Sequence, residues 1–406
     1  MTVQLFHSGR SMTREKRMRR DFELRARDGE AELFLEEFSD AIAKDKDFRR
    51  RISFRRLLEE FVDGGREIVD SWNPAHGGAG AYRIQSLLED GASVTTAMFG
   101  NITGQIIYTE VMQGFDDEAY VFTDLVPNVS TKFNGEVIPG IGRMGDVAEI
   151  IPEGKPYPRA GLSEDWIQTP TTHKRGMMIE LTREQVFFDR TSQLIEKAAE
   201  IGRWLGYDKE MRLINAFLDE NETAHKYNWR GTIYNTYQTG TPWDNTTSSN
   251  ALVDWTDIDA AEQTLAAILD PNTGTPILNL PKHLVVARQN LYTARRIVDA
   301  TEITVTTPGY ATSGNPTETQ AANPIANYKI VSSQLLAVKM ATDTDWFLGD
   351  ISRQLRYMEN FPLQVEQAPV GAGNMWERDI AMSWKAGERG AAVVVEPRVT
   401  TKCTVS

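Results

Sequence analysis

The chain has 406 residues, 41% hydrophobic and 25% charged, enough for two or three globular domains with a sizeable core. No apolar run reaches the roughly 18 to 20 residues that span a membrane, and the start MTVQLFHSGRSMTREKRMRR lacks the apolar stretch of a secretory signal. The net charge of −13 falls outside residues 1–75, which hold 16 basic and 16 acidic residues, so an acidic body excludes extensive nucleic-acid binding through that body. The single cysteine, Cys403, excludes an internal disulfide and a thiolate metal site.

Residues 1–75 read as a charged helical arm. Arg14, Lys16, Arg17, Arg19, Arg20, Arg25 and Arg27 form a basic cluster, either a solvated face or a contact for DNA or an acidic neighbour. Phe34, Phe38 and Ile42 recur at helical spacing, as do Phe54, Leu57, Leu58, Phe61 and Val62, with Gly64-Gly65 as a stop. Such short helices are marginal alone, so their apolar faces need the body of the same chain or a neighbour. HGGAGAYR (76–83) reads as a hinge, and 93–129 mixes helical and strand-like pieces.

Pro139, Pro152, Pro156, Pro158 and Pro170 interrupt 131–180. Prolines withhold donors from a ladder, so strand-like pieces at 136–138, 147–151 and 175–182 predict a two-stranded excursion with a proline-rich tip. A long helix is predicted over 191–220, capped by Asp189, Thr191 or Ser192. Gly202 and Gly206 inside it mark either a close backbone approach or a bend. Polar residues 221–250 read as loop. An α/β pattern follows: helix 257–269, buried strand HLVVA (283–287) and helix 289–298. Thr-rich 304–326 reads as a long loop, and strands are predicted at 328–332, 346–349, 363–366 and 391–395.

Residues 140–145 match G-x-G-x-x-G, with Glu164 downstream, but the prolines leave no room for the helix that a dinucleotide needs. The five histidines, His7, His76, His173, His225 and His283, are scattered. Asp116-Asp117-Glu118 and Glu164-Asp165 read as solvated faces, and neither a phosphate loop nor a nucleophile elbow occurs. No catalytic, cofactor or metal residue is assigned. The sequons at Asn101, Asn128, Asn221 and Asn245 carry no meaning without a secretory signal.

The order of pieces resembles the Hong Kong 97-type fold of tailed-phage major capsid proteins, an α+β fold shared with encapsulin shells. VAEIIPEGKPYPRAGLSEDWIQTPTTHKRGMMIELTREQVFFDR (147–190) resembles its extended loop and return strand, more weakly the Mu-like major head subunits. TSQLIEKAAEIGRWLGYDKEMRLINAFLDE (191–220) resembles its spine helix. ALVDWTDIDAAEQTL and LPKHLVVARQNLYTARRI resemble the axial domain, and YKIVSSQLL, DWFLGD and WKAGERGAAVVVEPR its closing strands. The resemblance implies a helical N-terminal arm at 1–75, the start of a peripheral domain at 76–130, an extended β-hairpin loop at 131–180 and a spine helix with peripheral domain at 181–250. It places the axial domain at 251–345 and closing strands returning to the peripheral domain at 346–406.

It further implies a non-enzymatic, self-assembling head protein of the Caudoviricetes, made in host cytoplasm and found in the virion. That protein forms hexamers and pentamers of an icosahedral shell around double-stranded DNA. Portal, scaffold or decoration proteins are implied partners, with weak non-specific DNA contact and no membrane. With the sequence starting at Met1, no long removed prosegment is expected. Some relatives join a loop lysine to an asparagine; Lys155 and Asn360 would be the pair here, with ordinary salt bridging as the alternative. Competing readings are an encapsulin-like compartment, a cytoplasmic enzyme with its site in 251–345, and a tail-tube or portal subunit.

Overall fold

Each stretch with a helical or alternating apolar period finds one of two hydrophobic cores, and the chain threads between them. The computed structural model describes residues 14–28, 30–45, 47, 52–62, 65–71, 94–117, 119–140, 151–154, 165–188, 190–219, 227–270, 274–307, 317–325, 328–340, 342–368 and 380–405. The first unit comprises Met1–Asp117, Lys174–Tyr207 and Phe361–Glu388. The second comprises Glu118–His173, Asp208–Asn360 and Arg389–Ser406.

In the first unit, α1 (Arg14–Arg27) buries Met18 and Phe22, and α2 (Ala31–Lys44) buries Phe34 and Phe38. Helix α3 (Phe54–Phe61) is capped by Ser53, whose hydroxyl accepts from Arg56 N–H at 3.2 Å, and buries Phe54, Leu57, Leu58 and Phe61. The expected stop at Gly64-Gly65 is followed at once by α4 (Gly65–Ser71). A Cβ on Gly65 would lie 2.1 Å from the Leu58 carbonyl oxygen, so glycine lets α4 fold back on α3. These helices share one core with Ile102, Ile106, Ile107 and Val111 of α5 (Val94–Phe115). Of the two surfaces that the sequence left open for the N-terminal helices, the body of the same chain covers their buried faces. The 76–83 stretch lies outside the described residues.

Strand β4 (His173–Thr182) runs into α7 (Arg183–Phe187) through a capping box of Thr182 and Gln185. Helix α8 (Thr191–Leu218) occupies nearly all of its predicted span. Its first half buries Leu194, Ile195, Ala198 and Leu205 in this core. Here Gly202 marks a close approach: a Cβ would sit 2.1 Å from the Val111 oxygen of α5, and one on Gly114 of α5 2.2 Å from the Ala199 oxygen of α8. Residues 361–388 return Leu363, Met382, Trp384 and Ala386 to the same core.

The second unit holds a five-stranded sheet in the order β11 (Lys329–Val331), β8 (His283–Val286), β12 (Trp346–Gly349), β15 (Thr400–Thr404), β7 (Thr246–Ser248). Its inner pairs are antiparallel and its outer pairs parallel. Strands β8 and β12 are buried at every position, which explains their unbroken apolar runs. Helix α9 (Trp255–Ala267) packs on β7, β12 and β15, and α10 (Leu291–Val298) on β8 and β11. Helix α9 starts two residues before the predicted 257 because Asp254 caps it and Asp257 closes the capping box.

The second half of α8 brings Leu213, Ile214 and Phe217 to this core; Phe217 meets Phe347 at 4.9 Å and Phe122 of α6 (Val121–Leu125) at 5.2 Å between ring centroids. A four-stranded antiparallel sheet runs β2 (Val137–Pro139), β3 (Trp166–Gln168), β5 (Tyr227–Trp229), β6 (Thr232–Tyr234). The β2–β3 pair is the described base of the predicted excursion, while 147–150 lies outside the described residues. Strand β1 (Asn128–Ser130) pairs in parallel with residues 357–359 of β13 (Leu355–Gln367).

Two predicted loops contain strands. In 221–250 short strands β5 and β6 form beside a buried aromatic cluster of Tyr227, Trp229 and Trp243 that the polar average hides, and β7 forms by pairing with β15. In 304–326 the flanks pair as an antiparallel hairpin, β9 (Glu302–Thr307) with β10 (Thr317–Ala322), since threonine, isoleucine and valine favour the extended backbone. The predicted strands at 363–366 and 391–395 are parts of longer strands, β13 and β14 (Ile380–Val394). The two compact units divide 346–406 between them, with 361–388 in the first and the remainder in the second.

Candidate assembly surfaces

The charged N-terminal cluster separates into used and unused cations. Arg19 bonds Glu23 at 2.7 Å and the Glu60 carbonyl; Arg25 bonds Glu37 at 2.8 Å and lies over the Phe34 ring. The Glu37 hydrogen bond holds the Arg25 pKa above its ordinary value. Lys16, Arg20 and Arg27 are exposed on the side of α1 opposite Met18 and Phe22, with half-exposed Leu24 among them.

In the second unit the segment 274–282 alternates between outward and inward residues, turning Leu278 (76% exposed) and Leu280 (78%) to solvent. It is held firmly. Asn279 donates to the Arg398 carbonyl at 2.8 Å, Ile277 N–H to the Ile268 oxygen at 3.1 Å and Lys282 N–H to the Gly349 oxygen at 3.0 Å. Asp270, which precedes the segment, faces buried Arg398 at 3.7 Å, and Glu396 grips Arg398 through two bonds of 2.6 and 2.7 Å. Burial works against the Arg398 charge, but the Glu396 bonds more than offset it and raise its pKa. On α10, exposed Tyr292 lies under the Arg288 guanidinium at 5.9 Å, with Arg295 and Arg296 exposed beside it.

Other singled-out residues fall elsewhere. The Asn360 amide nitrogen donates to the Thr131 and Phe133 carbonyls at 3.0 and 2.9 Å, fixing the chain after β1; Lys155 lies outside the described residues. Residues 141–145 of the glycine motif and Glu164 also lie outside them. Asp165, expected on a solvated face, is instead buried. It bonds Trp229 Nε1 and lies 3.5 Å from Arg230, because Gly140 leaves it room: a Cβ there would come within 2.6 Å of its carboxylate. Asp116 and Asp117 are exposed as expected. His173 is exposed. His283 is buried and accepts Ile351 N–H at Nδ1 (3.4 Å), and burial lowers its pKa; His7, His76 and His225 lie outside the described residues. Asp350 meets Lys282 at 2.6 Å; burial opposes its ionisation, yet the Lys282 and Ser352 hydrogen bonds hold its carboxyl below the ordinary range.

Two buried polar groups escaped sequence reading. Glu210 on α8 accepts from the N–H groups of Phe122 and Thr123 at 2.9 and 2.8 Å, at the start of α6, and from the Thr123 hydroxyl. Asn245 donates to three carbonyls, those of Thr236, Pro397 and Thr400. Apart from Thr236, nine residues from Asn245, their partners lie 87 to 155 residues away in sequence, so no local pattern announces them. Among the described residues no group of histidine, cysteine and carboxylate side chains is arranged to hold a metal, and no helix is long and apolar enough to cross a membrane.

A search of curated proteins finds no match. Among solved structures the chain is similar to the capsid of an empty GTA particle (11% identity, 71% of this chain and 90% of that one, TM-score 0.42). It is similar to a Gordonia phage Cozz chain (14%, 71% and 86%, 0.41) and to a virus-like particle from Pyrococcus furiosus (9%, 73% and 96%, 0.38). A family model described as phage capsid protein matches residues 167–403, more than half of the chain and most of the second unit. The chain belongs to the phage capsid protein family and is a structural subunit of a phage shell.

Proposed function

We propose that this chain is the major head protein of a tailed phage, with the Hong Kong 97-type arrangement, and that its role is structural rather than catalytic. Identical copies would form hexamers and pentamers of an icosahedral shell assembled in host cytoplasm around double-stranded DNA. In this reading the axial domain is 251–345, the extended loop 131–180, and portal, scaffold or decoration proteins are partners. The family match over 167–403 carries the reading. The firmly held but exposed Leu278 and Leu280 support it, because rigid apolar groups in water are features that neighbouring copies can bury. Negative-stain microscopy and sizing of the purified chain, alone and with co-expressed head genes, test it. Closed shells or hexamer-sized rings are expected, and shells retaining DNA separate a phage head from a compartment loaded with protein. A monodisperse monomer under every condition would reject the proposal.

A further inference from the structure

The even charge of the N-terminal segment is sorted by helix. Helix α1 has seven basic and three acidic residues, and α2 has four acidic and one basic. Among the described side chains, three cations of α1 and two carboxylates of α2 are exposed on the outward face. At 100° per residue, Lys16, Arg20, Leu24 and Arg27 share the face of α1 opposite buried Met18 and Phe22. Leu33, Glu36 and Asp40 form the outward stripe of α2, opposite buried Phe34 and Phe38, with exposed Glu30 just before the helix. Lys16, Arg20 and Arg27 form no ion pair among the described residues, and neither do Glu30 and Glu36; Asp40 pairs locally with Lys44. Each stripe carries one large apolar side chain half in water, Leu24 at 50% and Leu33 at 52%.

The two helices are neighbours, with Phe22 and Phe34 at 5.7 Å and Arg25 bonded to Glu37. Among the described residues the cations Lys16, Arg20 and Arg27 and the carboxylate Glu36 nevertheless have no ion-pair partner, while Glu30 acts on Arg25 and Asp40 is held by Lys44. A basic stripe with a leucine and an acidic stripe with a leucine on one surface complement each other between copies. Facing phosphates, the basic stripe would have a use, but the acidic stripe beside it would be repelled. A second copy satisfies both. Resting on the self-assembly reading above, we propose that the α1 stripe Lys16-Arg20-Leu24-Arg27 of one subunit docks on the Glu30-Leu33-Glu36-Asp40 stripe of another, with Leu24 against Leu33.

Two experiments test the contact. Differently tagged Leu24→Cys and Leu33→Cys chains are mixed and mildly oxidised; Cys403 is fully buried and gives little background. A disulfide-linked heterodimer at least about tenfold above the homodimers is expected, since close contact brings the two cysteines within bonding reach. Absence of that species overturns the contact, whether or not the chain assembles. In parallel, Lys16→Glu/Arg20→Glu/Arg27→Glu and Glu30→Lys/Glu36→Lys/Asp40→Lys are made separately and together, with thermal melts as the folding control. Each face alone should lower shell yield about tenfold or more, and the combined exchange should restore it. Unchanged assembly in the single-face variants, or no recovery in the combined one, sinks the proposal. So does a result in which reversing the basic face leaves shells intact and only reduces the nucleic acid they retain, which would make the stripe a phosphate surface. Shells from the unmodified chain without the 24–33 link reject this contact alone; no shells or rings at all would reject the assembly reading.

Discussion

Glu210 is fully buried, yet its carboxylate is occupied by the first N–H groups of α6 and a hydroxyl. Glu210→Ala should cost about 2–4 kcal/mol, since it strands those buried donors, and Glu210→Gln less; chemical denaturation measures both. Burial raises the Glu210 pKa, so the stability linked to its protonation is fully present below about 4.5 and is lost as pH rises through the folded value. Wild type should therefore gain on Glu210→Gln as pH falls. His283 acts oppositely. Burial lowers its pKa, so stability present above about 6.5 declines as pH drops toward its folded value. The melting temperature should fall between pH 7 and 5, and His283→Gln, which keeps an acceptor for Ile351, should flatten that slope. An unaltered slope would show that other groups set the acid response. Asp350, with its lowered pKa, adds its loss only as pH falls below about 3.8.

Among the elements, the contact of α5 with α8 separates two kinds of glycine. Gly202→Ala drives a Cβ toward a backbone oxygen 2.1 Å away and should destabilise by about 3 kcal/mol. Gly104→Ala, in the middle of α5 with nothing within 4 Å of the new Cβ, should stabilise by about 0.5–1 kcal/mol. Melts of the two variants check both signs. The same helix shows where sequence reading stops. Thr, Ile, Val and Gly throughout 94–115 lower intrinsic helix propensity, so the stretch looked mixed; burial of Ile102, Ile106, Ile107 and Val111 overrides that weak preference. By contrast α8, β8 and β12 were legible, since a sustained helical stripe or a short unbroken apolar run specifies its own state. The β9–β10 pairing was not, because strand partners depend on residues far along the chain. The candidate surface was half legible: the basic cluster was visible, but only packing shows which cations Glu23 and Glu37 have claimed.

At the scale of the molecule, the chain passes between its two units at 117/118, 173/174, 207/208, 360/361 and 388/389. A chain ending at 360 lacks Leu363, Met382, Trp384 and Ala386, and its first unit should lose protection from limited proteolysis although 14–117 is intact. This threading also sets a timetable for synthesis. The N-terminal helices emerge early, but the last side chains of their core arrive with Ala386. At about 5–20 residues per second, the apolar faces of α1 to α5 wait roughly 15 to 60 s for those strands. During that interval the growing chain presents Met18, Phe22, Phe34 and Phe38 without their complete core, at a polysome where several such chains lie close together. Ribosome-stalled chains halted at 350 should bind a chaperone that captures exposed apolar segments, and the finished chain should release it after leaving the ribosome. The strands that close the first core thus double as a clock, delaying its completion until nearly all of the subunit has been made.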